Sequence, residues 1–500
     1  KSTSRFQKMI TGPFDSLREY INTLESNDRL IRIKQMDQDK YEATGFAYRL
    51  VKEFGYDLAP AFLIEKIRIN NQWVNGPVIG NLFGGWNAEA LIYGVENLGE
   101  SQQNSRIKTF KHLEKLHKEN NGWPKISPVT IDNQNAPCKE NIVLGADVNI
   151  LKFPWLQTNP ADAGRYINAA TIFIEDEELG RNVATYRCQV KGKNKIGFNA
   201  EIRQNAWSFL TKMKERGQTT ASVAIANGVD PITFTLGASK IAKLGEDELD
   251  YAGGIRGKPV EMVKCETNNI LVPAQSEIVL EGEIPLDKME EEGPYGEMYG
   301  FMGLKKNENF YMEIKAITHR TNPWVVNSFA GVTKISPSIL QTVGNFIDYK
   351  TFIPNLIDIY RPAESTGVLT ASIKKDKSGQ GMEAGKILAE KDFFAKMIIV
   401  VDEDVDVYDK GEIFQALGTR WQPYPASKII EKMRGMPLDA SAPERFSTSK
   451  IIIDATRQLK DEGGPPVWPD ISKVMLEEMS PETTELVDEN WLKYFEDSND

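Results

Sequence analysis

Residues 272–300 read VPAQSEIVLEGEIPLDKMEEEGPYGEMYG. The first part, SEIVLEGEI, is rich in β-branched residues and predicts a strand. In the second part, Glu292 and Glu297 lie on either side of a Gly-Pro-Tyr-Gly turn. Because glycine and proline favour turns and exclude a helix, the two carboxylates have a defined relative position. Such acids could belong to a surface turn, or one could donate a proton if burial raises its pKa.

The patterns around this stretch predict a mixed α/β (α+β) fold in three domains. Apolar residues at helical spacing from Phe14 to Leu24, followed by the strand-like run RLIRIK, begin an N-terminal α/β domain over 1–135. Strand patterns dominate a central domain over 136–335. Strand–helix–strand alternation then indicates a C-terminal α/β domain over 336–500, which ends in a polar helical tail.

Composition excludes several classes of protein. With a net charge of −11, the chain lacks the clustered Lys and Arg of a nucleic-acid surface. Its longest aliphatic run, MIIVV at 397–401, is too short to span a membrane, and the first residues have no apolar core typical of a secretory signal. Cys138, Cys188 and Cys265 have no CxxC spacing, which favours reduced thiols in a cytoplasmic protein.

Two further motifs resemble ligand-binding loops. SGQGMEAGK at 378–386 satisfies GxGxxA and precedes Asp402, as in a dinucleotide fingerprint, but KKDKS separates its glycines from the preceding strand. A nicotinamide-dependent dehydrogenase is therefore one alternative. DEDVDVYD at 402–409 lacks the Gly and Glu of a calcium loop, which favours a strand end leading into a helix. With only three histidines, acid–base chemistry would fall to carboxylates, Lys or Tyr.

Several motifs, read together, resemble those of the UbiD family. They are PCKENI (137–142), NVATYR (182–187), RQNAW (203–207), EMVKCETNNILVPAQSEIVLEG (261–282) and EGPYGEMYG (292–300). Members of this family are decarboxylases that use a prenylated flavin mononucleotide (FMN), and the chain most resembles the branch of ferulic-acid and aromatic-acid decarboxylases. The resemblance implies that the central domain is a flavin-reductase-like split β-barrel. It also implies that the tail forms a homo-oligomer, either a dimer or a hexamer.

The resemblance implies a Glu–Arg–Glu catalytic site formed by Arg187, Glu292 and Glu297. Glu297 would protonate the carbon after CO2 leaves, Arg187 would bind the carboxylate, and Glu292 would hydrogen-bond to Arg187. An Arg within about 4–6 Å lowers a carboxyl pKa by about 1–3 units, whereas an acid nearer an apolar ring stays protonated. Because side chains cannot support the carbanion, the cofactor must act as the electron sink.

The resemblance also implies a divalent metal, manganese or magnesium, and often potassium, beside the flavin phosphate. The implied ligands are Asn182, Asn205 and Glu248. Asn205 stands where the family has His, which changes the donor set to oxygen alone. If strand alternation continued from Asn182 to Arg187, the two would lie on opposite faces, so we expect Asn182 at a strand start or beside a bulge.

Four more residues match positions near the cofactor or the substrate. Gln204 would line the flavin and the substrate, and Lys391 would contact the phosphate or be a solvated helix lysine. Met436 and Leu438 would form the wall of the substrate pocket. A flexible Met in place of an aromatic residue suggests a pocket for a fused or bulkier ring.

The expected function is reversible decarboxylation of an aromatic or α,β-unsaturated acid, with a flavin prenyltransferase supplying the cofactor. Two alternatives besides the dehydrogenase are a non-catalytic, cofactor-poor subunit of a multi-protein carboxylase and a metal-only carboxy-lyase. The sequence leaves open the substrate, the direction of the reaction, the metal and the use of a thioester.

Overall fold

The computed structural model describes residues 8–496 of the chain. Residues 1–7, which begin the stretch predicted not to be a secretory signal, lie outside the described residues. Asp497, the last residue of the predicted helical tail, also lies outside them. The chain has the mixed α/β fold that the sequence predicts. It forms two compact units, unit 1 (up to Thr351, with 361–366 and 435–447) and unit 2 (352–360, 367–434 and from Thr448 onward). The three-domain division at 135/136 and 335/336 stays a prediction.

Strands are distributed along the whole described chain. They are β1 (Leu30–Asp37), β2 (Ala61–Ile69), β3 (Gln72–Gly80), β4 (Val129–Thr130), β5 (Asn141–Leu144), β6 (Tyr166–Ile167), β7 (Ala170–Asp176), β8 (Gly180–Ala184), β9 (Cys188–Gln189), β10 (Lys195–Phe198), β11 (Thr220–Asn227), β12 (Glu261–Lys264), β13 (Leu271–Pro273), β14 (Ile278–Pro285), β15 (Glu290–Glu292), β16 (Tyr295–Gly296), β17 (Met302–Gly303), β18 (Lys306–His319), β19 (Val325–Val326), β20 (Leu356–Tyr360), β21 (Val368–Ile373), β22 (Met397–Asp402), β23 (Ser427–Arg434) and β24 (Ser447–Asp454).

Helices alternate with these strands and also form the C-terminal tail. They are α1 (Leu17–Ser26), α2 (Glu42–Phe54), α3 (Trp86–Ile92), α4 (Gln102–Glu119), α5 (Asn205–Glu215), α6 (Pro231–Ala238), α7 (Glu248–Arg256), α8 (Ile339–Lys350), α9 (Gln380–Lys391), α10 (Lys410–Thr419), α11 (Ser472–Met479), α12 (Glu482–Asn490) and α13 (Lys493–Glu496). Single 3₁₀ turns cover Gln38–Lys40, Asn133–Asn135, Pro137–Lys139, Gly145–Asp147, Ile150–Lys152 and Lys460–Glu462. Within residues 8–496, no helix is both long and apolar enough to cross a bilayer.

A four-stranded sheet and a larger antiparallel sheet organise unit 1. The first has the order β1-β2-β3-β19, and α2 buries Ala43 and Leu50 in one cluster with Phe62 of β2. The second has the order β10-β18-β14-β11-β7-β8, and β5 and β15 also pair with β18. Helix α5 contributes Phe209 and Leu210 to the core of this second sheet. The ends of β8 and β15 therefore lie in one antiparallel sheet, which positions the site described below.

Unit 2 contains a five-stranded sheet with the order β20-β21-β22-β24-β23. Helix α9 carries one glycine of the GxGxxA motif, Gly381, and the nearby Gly385, whereas Gly379 precedes the helix with a φ of +82°. An added Cβ on Gly381 or Gly385 would come within 2.2 Å of the side chains of Asp454 and Ile452 in β24. Close packing of the helix on the sheet therefore accounts for both glycines, and β21 ends at Ile373, well before α9 begins.

Strongly patterned elements form where the sequence predicts them. At the start of α1, Ser16 caps the helix, and its Oγ accepts a hydrogen bond from Glu19 N at 3.2 Å. β7 and β8 form a hairpin. Asp409 caps α10, so DEDVDVYD is a strand end leading into a helix, as predicted. All three cysteines are buried free thiols.

The segment after β11 is rich in Gly, Lys and Asp, and its sequence predicts a loop; this prediction is wrong, because the segment contains α6 and α7. In α6, PITFTLGA is buried nearly all round, so it has no polar face to give a helical period. In α7, Gly253 and Gly254 lower the helix propensity of the segment. Both glycines are needed, because a Cβ on Gly253 would lie 2.2 Å from Ile126 O and a Cβ on Gly254 would lie 1.8 Å from Pro124 O.

Candidate active site

One guanidinium group links the two acids of the 272–300 stretch. Arg187 lies between β8 and β9, Glu292 ends β15, and Glu297 follows β16. Arg187 donates from Nε and Nη2 to the two carboxylate oxygens of Glu292, both at 3.0 Å, and from Nη1 to Glu297 Oε1. The side chains of Arg187, Glu292 and Glu297 are only 8%, 1% and 13% exposed. The structure thus brings together all three residues expected to be catalytic.

The segments that carry Glu292 and Glu297 belong to two different strand pairs. β15 pairs with β18, whereas β16 pairs with β17. Between them, Gly293 has a φ of +79°, which glycine adopts without steric cost. Gly293 N donates to Gln189 Oε1 at 3.0 Å, and Gly296 N donates to Asp162 Oδ1 at 2.8 Å. The turn is therefore fixed at both ends by side chains from other segments.

The two acids differ in their surroundings and in how they pair with Arg187. Burial raises the pKa of Glu297 above its usual value of 4.5, although Arg187 opposes the rise. Glu292 instead forms the bidentate ion pair that suits a guanidinium and a carboxylate. Burial disfavours the charged form of Arg187, but the hydrogen bond with Glu292 and the charges of both glutamates outweigh it and raise the Arg187 pKa.

Two tyrosines complete the site, and one of them has no signal in the sequence. Tyr166 OH donates to Glu292 Oε1 at 2.9 Å, and its ring centroid lies 4.3 Å from that of Tyr295. The Arg187 guanidinium carbon lies 5.1 Å from the Tyr295 ring centroid, within cation–π range. Tyr295 belongs to the quoted turn, but Tyr166 lies in a short strand more than a hundred residues earlier.

The three residues expected at the metal lie on β8 and on two helices that contact it. Asn205 begins α5, and Glu248 begins α7 and accepts from Val183 N at 3.1 Å. Asn182 lies in the middle of β8, where it is opposite Ile174 of β7. The expectation that Asn182 starts the strand or adjoins a bulge is wrong, because the strand ends at Ala184 and the irregular backbone comes after it.

The chemistry of these residues fits a hard cation. Burial raises the pKa of Glu248 to about 8, and the buried Asn182 side chain has an unpartnered Nδ2 that can donate to a phosphate oxygen, and an Oδ1 of the kind that binds a cation. A nearby cation would hold the Glu248 carboxylate ionised, and amide and carboxylate oxygens are ligands that magnesium and manganese accept. Within residues 8–496, no three His, Cys, Asp or Glu side chains cluster as a metal site. A cation bound by these three residues would take amide oxygens from Asn182 and Asn205 and a carboxylate oxygen from Glu248.

The remaining expected residues lie in different surroundings. Gln204 is exposed, and its Oε1 accepts from Glu201 N at 2.8 Å. Met436 and Leu438 are half-buried in the 435–447 segment of unit 1. Lys391 ends α9 in unit 2, is exposed, and has its Nζ 4.0 Å from the ring centroid of Phe352. Both readings of Lys391, phosphate ligand and solvated helix lysine, stay predictions.

Comparison with protein families identifies the class. Models of the N-terminal, Rift-related and C-terminal domains of 3-octaprenyl-4-hydroxybenzoate carboxy-lyase (UbiD) match residues 21–103, 129–333 and 343–455. An uncharacterized protein from Archaeoglobus fulgidus is 31% identical over 490 residues, 96% of this chain and 98% of the relative. The chain therefore belongs to the UbiD family, and it is a carboxy-lyase.

Named relatives and solved structures agree with this class. A phenolic acid decarboxylase from Sedimentibacter hydroxybenzoicus is 29% identical over 472 residues, 90% of this chain and 93% of the relative. The closed form of vanillic acid decarboxylase from the same organism has a TM-score of 0.78 at 28% identity, covering 94% of this chain and 98% of that chain. The family resemblance and the mixed α/β fold are thereby confirmed, and a carboxy-lyase replaces the dehydrogenase reading.

Two further structures are of relatives with a flavin bound. The UbiD-class enzyme HmfF from Pelotomaculum thermopropionicum, in complex with FMN, has a TM-score of 0.76 at 26% identity, covering 93% of this chain and 99% of that chain. An evolved dimeric form of HmfF, in complex with prenylated FMN, has a TM-score of 0.75 at 26% identity, with 92% and 97% covered.

Proposed function

We propose that this chain catalyses the reversible, non-oxidative decarboxylation of an aromatic or α,β-unsaturated carboxylic acid, with prenylated FMN as cofactor. The observation that carries the proposal is the buried Arg187 guanidinium shared by Glu292 and Glu297. The decarboxylase relatives are named for phenolic and vanillic acids, and HmfF binds FMN and prenylated FMN. These similarities support both the substrate class and the cofactor.

Each residue of the site has a distinct role in this proposal. When bound, prenylated FMN supplies the electron sink that side chains lack. Arg187 binds the substrate carboxylate, since the two glutamates take three of the five N–H donors that a guanidinium offers. Glu292 and Tyr166 hold that guanidinium in place.

Proton transfer falls to Glu297. Its carboxyl donates a proton to the carbon that has lost CO2, and its raised pKa favours the protonated form that this step needs. In the carboxylation direction, the Glu297 carboxylate takes the same proton back. A positioned general acid contributes roughly 10²- to 10⁴-fold in rate.

The cofactor would be held at the other end of the site. We assign Asn182, Asn205 and Glu248 to a magnesium or manganese ion beside the flavin phosphate, with potassium as a second cation. Gln204 and Lys391 would be further cofactor contacts, and Met436 and Leu438 the wall of a pocket for a bulky ring. An all-oxygen donor set suits these hard cations better than it suits zinc.

The proposal extends to cofactor supply and assembly. A flavin prenyltransferase would provide the cofactor in the cytoplasm. The tail exposes apolar side chains of Leu476, Met479 and Leu492, which supports burial in a homo-oligomer, either a dimer or a hexamer.

Two measurements on protein co-expressed with a flavin prenyltransferase test the proposal. Mass spectrometry of the released cofactor should identify prenylated FMN, and CO2 release should occur with cinnamic, benzoic or naphthoic acids. Protein that retains no flavin after this co-expression would support the cofactor-poor subunit instead. CO2 release that survives flavin loss but not chelation would support a metal-only carboxy-lyase.

A further inference from the structure

We propose that Glu201 is a positioning residue that joins the pocket-wall segment Gly435–Ser447 to the strand pair carrying Glu292. The inference rests on the proposed function, because it concerns the geometry of that same site. Glu201 has no role in the motifs that carry the family resemblance. Its contacts, however, reach three separate parts of the site.

The Glu201 carboxylate is shared by two cationic side chains from distant segments. Its Oε1 accepts from Lys306 Nζ, and its Oε2 accepts from Arg445 Nη2 at 2.5 Å. The Glu201 side chain is only 15% exposed, so both ion pairs are partly shielded from water. An ion pair of this kind restrains its partners more than an exposed pair does.

The first arm leads to the catalytic acids. Lys306 begins β18 and lies directly opposite Glu292 in the antiparallel pairing of β15 with β18. Its Nζ also donates to Asn199 Oδ1 at 2.6 Å, which fixes the ammonium group beside Glu201. Lys306 therefore connects Glu201 to the strand pair that ends in Glu292.

The second arm leads to the expected substrate wall. Arg445 belongs to Gly435–Ser447, the same segment as Met436 and Leu438, and Gly435 N donates to Phe446 O at 3.0 Å to close that segment on itself. The Phe446 ring centroid lies 4.6 Å from the guanidinium carbon of Arg203 and 5.1 Å from that of Arg445. The C-terminal end of the segment is thus bound to the side chains of Glu201 and Arg203.

The third arm is a backbone contact. Glu201 N donates to Gln204 Oε1 at 2.8 Å, which orients the side chain expected to line flavin and substrate. One residue therefore holds the pocket wall, the Glu292 strand pair and Gln204 in a single arrangement. Because a small displacement of reacting groups can cost about 100-fold in rate, such a residue affects turnover without touching the substrate.

Electrostatics gives this arrangement a signature in the pH profile. Burial and Glu201 raise the pKa of Glu297, whereas Arg187 and Lys306 lower it. Tyr295 also faces this carboxylate from β16. A general acid loses activity as the pH rises through its pKa. Removing Glu201 should therefore move the alkaline limb to lower pH, and removing Lys306 should move it to higher pH.

The first test compares Glu201→Gln, Lys306→Gln and Arg445→Gln in the flavin-loaded enzyme. Glu201→Gln should lower kcat/KM by about 10- to 100-fold and Arg445→Gln should raise KM more than it lowers kcat. The alkaline limbs of Glu201→Gln and Lys306→Gln should shift in opposite directions. The matched control is Glu291→Gln, an exposed glutamate 2.9 Å from Lys305, and it should leave all values unchanged.

The second test does not depend on activity. Amide hydrogen exchange over 436–446 should speed up by roughly threefold or more in Glu201→Gln and Arg445→Gln, but not in Glu291→Gln. Wild-type protein inactive on every acid would overturn the proposed function, and the exchange data would still decide the role of Glu201. If Glu201→Gln does not fold, the half-exposed Arg445 provides the same test. Unchanged exchange together with unchanged kinetics would overturn this inference.

Discussion

The two ends of the proposed site differ in how far the protein itself satisfies their polar groups. At the proton-transfer end, Arg187 pairs with both Glu292 and Glu297, and Tyr166 adds a further hydrogen bond. At the cofactor end, Asn182 Nδ2 is buried without a partner and burial raises the Glu248 pKa. The first end is preorganised by the fold, whereas the second has the features of a site completed by its ligand.

Removing the shared cation should break the preorganised end completely. Arg187→Ala leaves two buried carboxylates facing each other, so we expect no measurable turnover, loss of cofactor maturation and a loss of about 3–5 kcal/mol in the free energy of unfolding. Urea denaturation and CO2 release measure these effects. As a control, Arg49→Ala removes an exposed pair with Glu53 and should change stability by less than about 1 kcal/mol. Turnover within tenfold of wild type would contradict the role of Arg187.

Glu297→Gln separates proton transfer from cofactor binding. Because Gln keeps the shape but cannot donate the proton, turnover should fall by roughly 10²- to 10⁴-fold while the flavin absorbance of the purified protein stays unchanged. The control is Glu291→Gln, whose side chain is 65% exposed and pairs with Lys305. Full activity of Glu297→Gln would rule out the proposed proton donor.

The sequence predicts the residues of the preorganised end better than their surroundings. Glu292 and Glu297 stand out because a rigid turn joins them, and Arg187 follows from the family motif on another segment. Tyr166 has no such signal, because its partner is 126 residues away and only the fold brings them together. Glu201 has no sequence signal either, because its two cationic partners, Lys306 and Arg445, are 105 and 244 residues away.

The fold shows the same limit. Amphipathic elements such as α1, β1 and α5 are predictable because one face is polar. Helix α6 is not, because burial on all sides removes that contrast, and α7 carries two glycines that local propensity counts against it. In both cases tertiary packing, which sequence periodicity does not report, decides the structure.

Asn205→His tests whether the cofactor end of the site binds a metal ion through Asn205. An imidazole nitrogen would restore the mixed donor set of the family, so zinc should bind about tenfold more tightly while magnesium affinity changes little. Titration of metal-free protein with each ion, in the presence of FMN, measures this difference. Asn104→His, at an exposed position of α4 away from the other histidines, is the control for adding a histidine elsewhere. Equal changes for both variants would argue against a metal at Asn205.

The smallest expected effect is a pH dependence of stability that belongs to Glu297. The pKa of Glu297 is 4.5 when unperturbed. Burial raises this pKa in the folded protein, and Arg187 opposes the rise. Below the unperturbed pKa both states are protonated, but above it only the folded chain keeps the proton, so the free energy of unfolding falls as pH rises through the folded pKa. Glu297→Gln should reduce this slope in urea denaturations carried out at pH values above 4.5.

Glu89 is the matched control for that slope, because burial raises its pKa to about 7 at a position outside the site. Glu89→Gln should also flatten the dependence of stability on pH, since the same linkage applies to it. It should leave the pH profile of kcat unchanged, whereas Glu297→Gln removes the group that sets the alkaline limb of that profile. If Glu89→Gln alone removed the whole slope, the pH dependence of stability would come from Glu89 in the core and not from Glu297. Glu292 and Glu297 would then differ only in their hydrogen bonds.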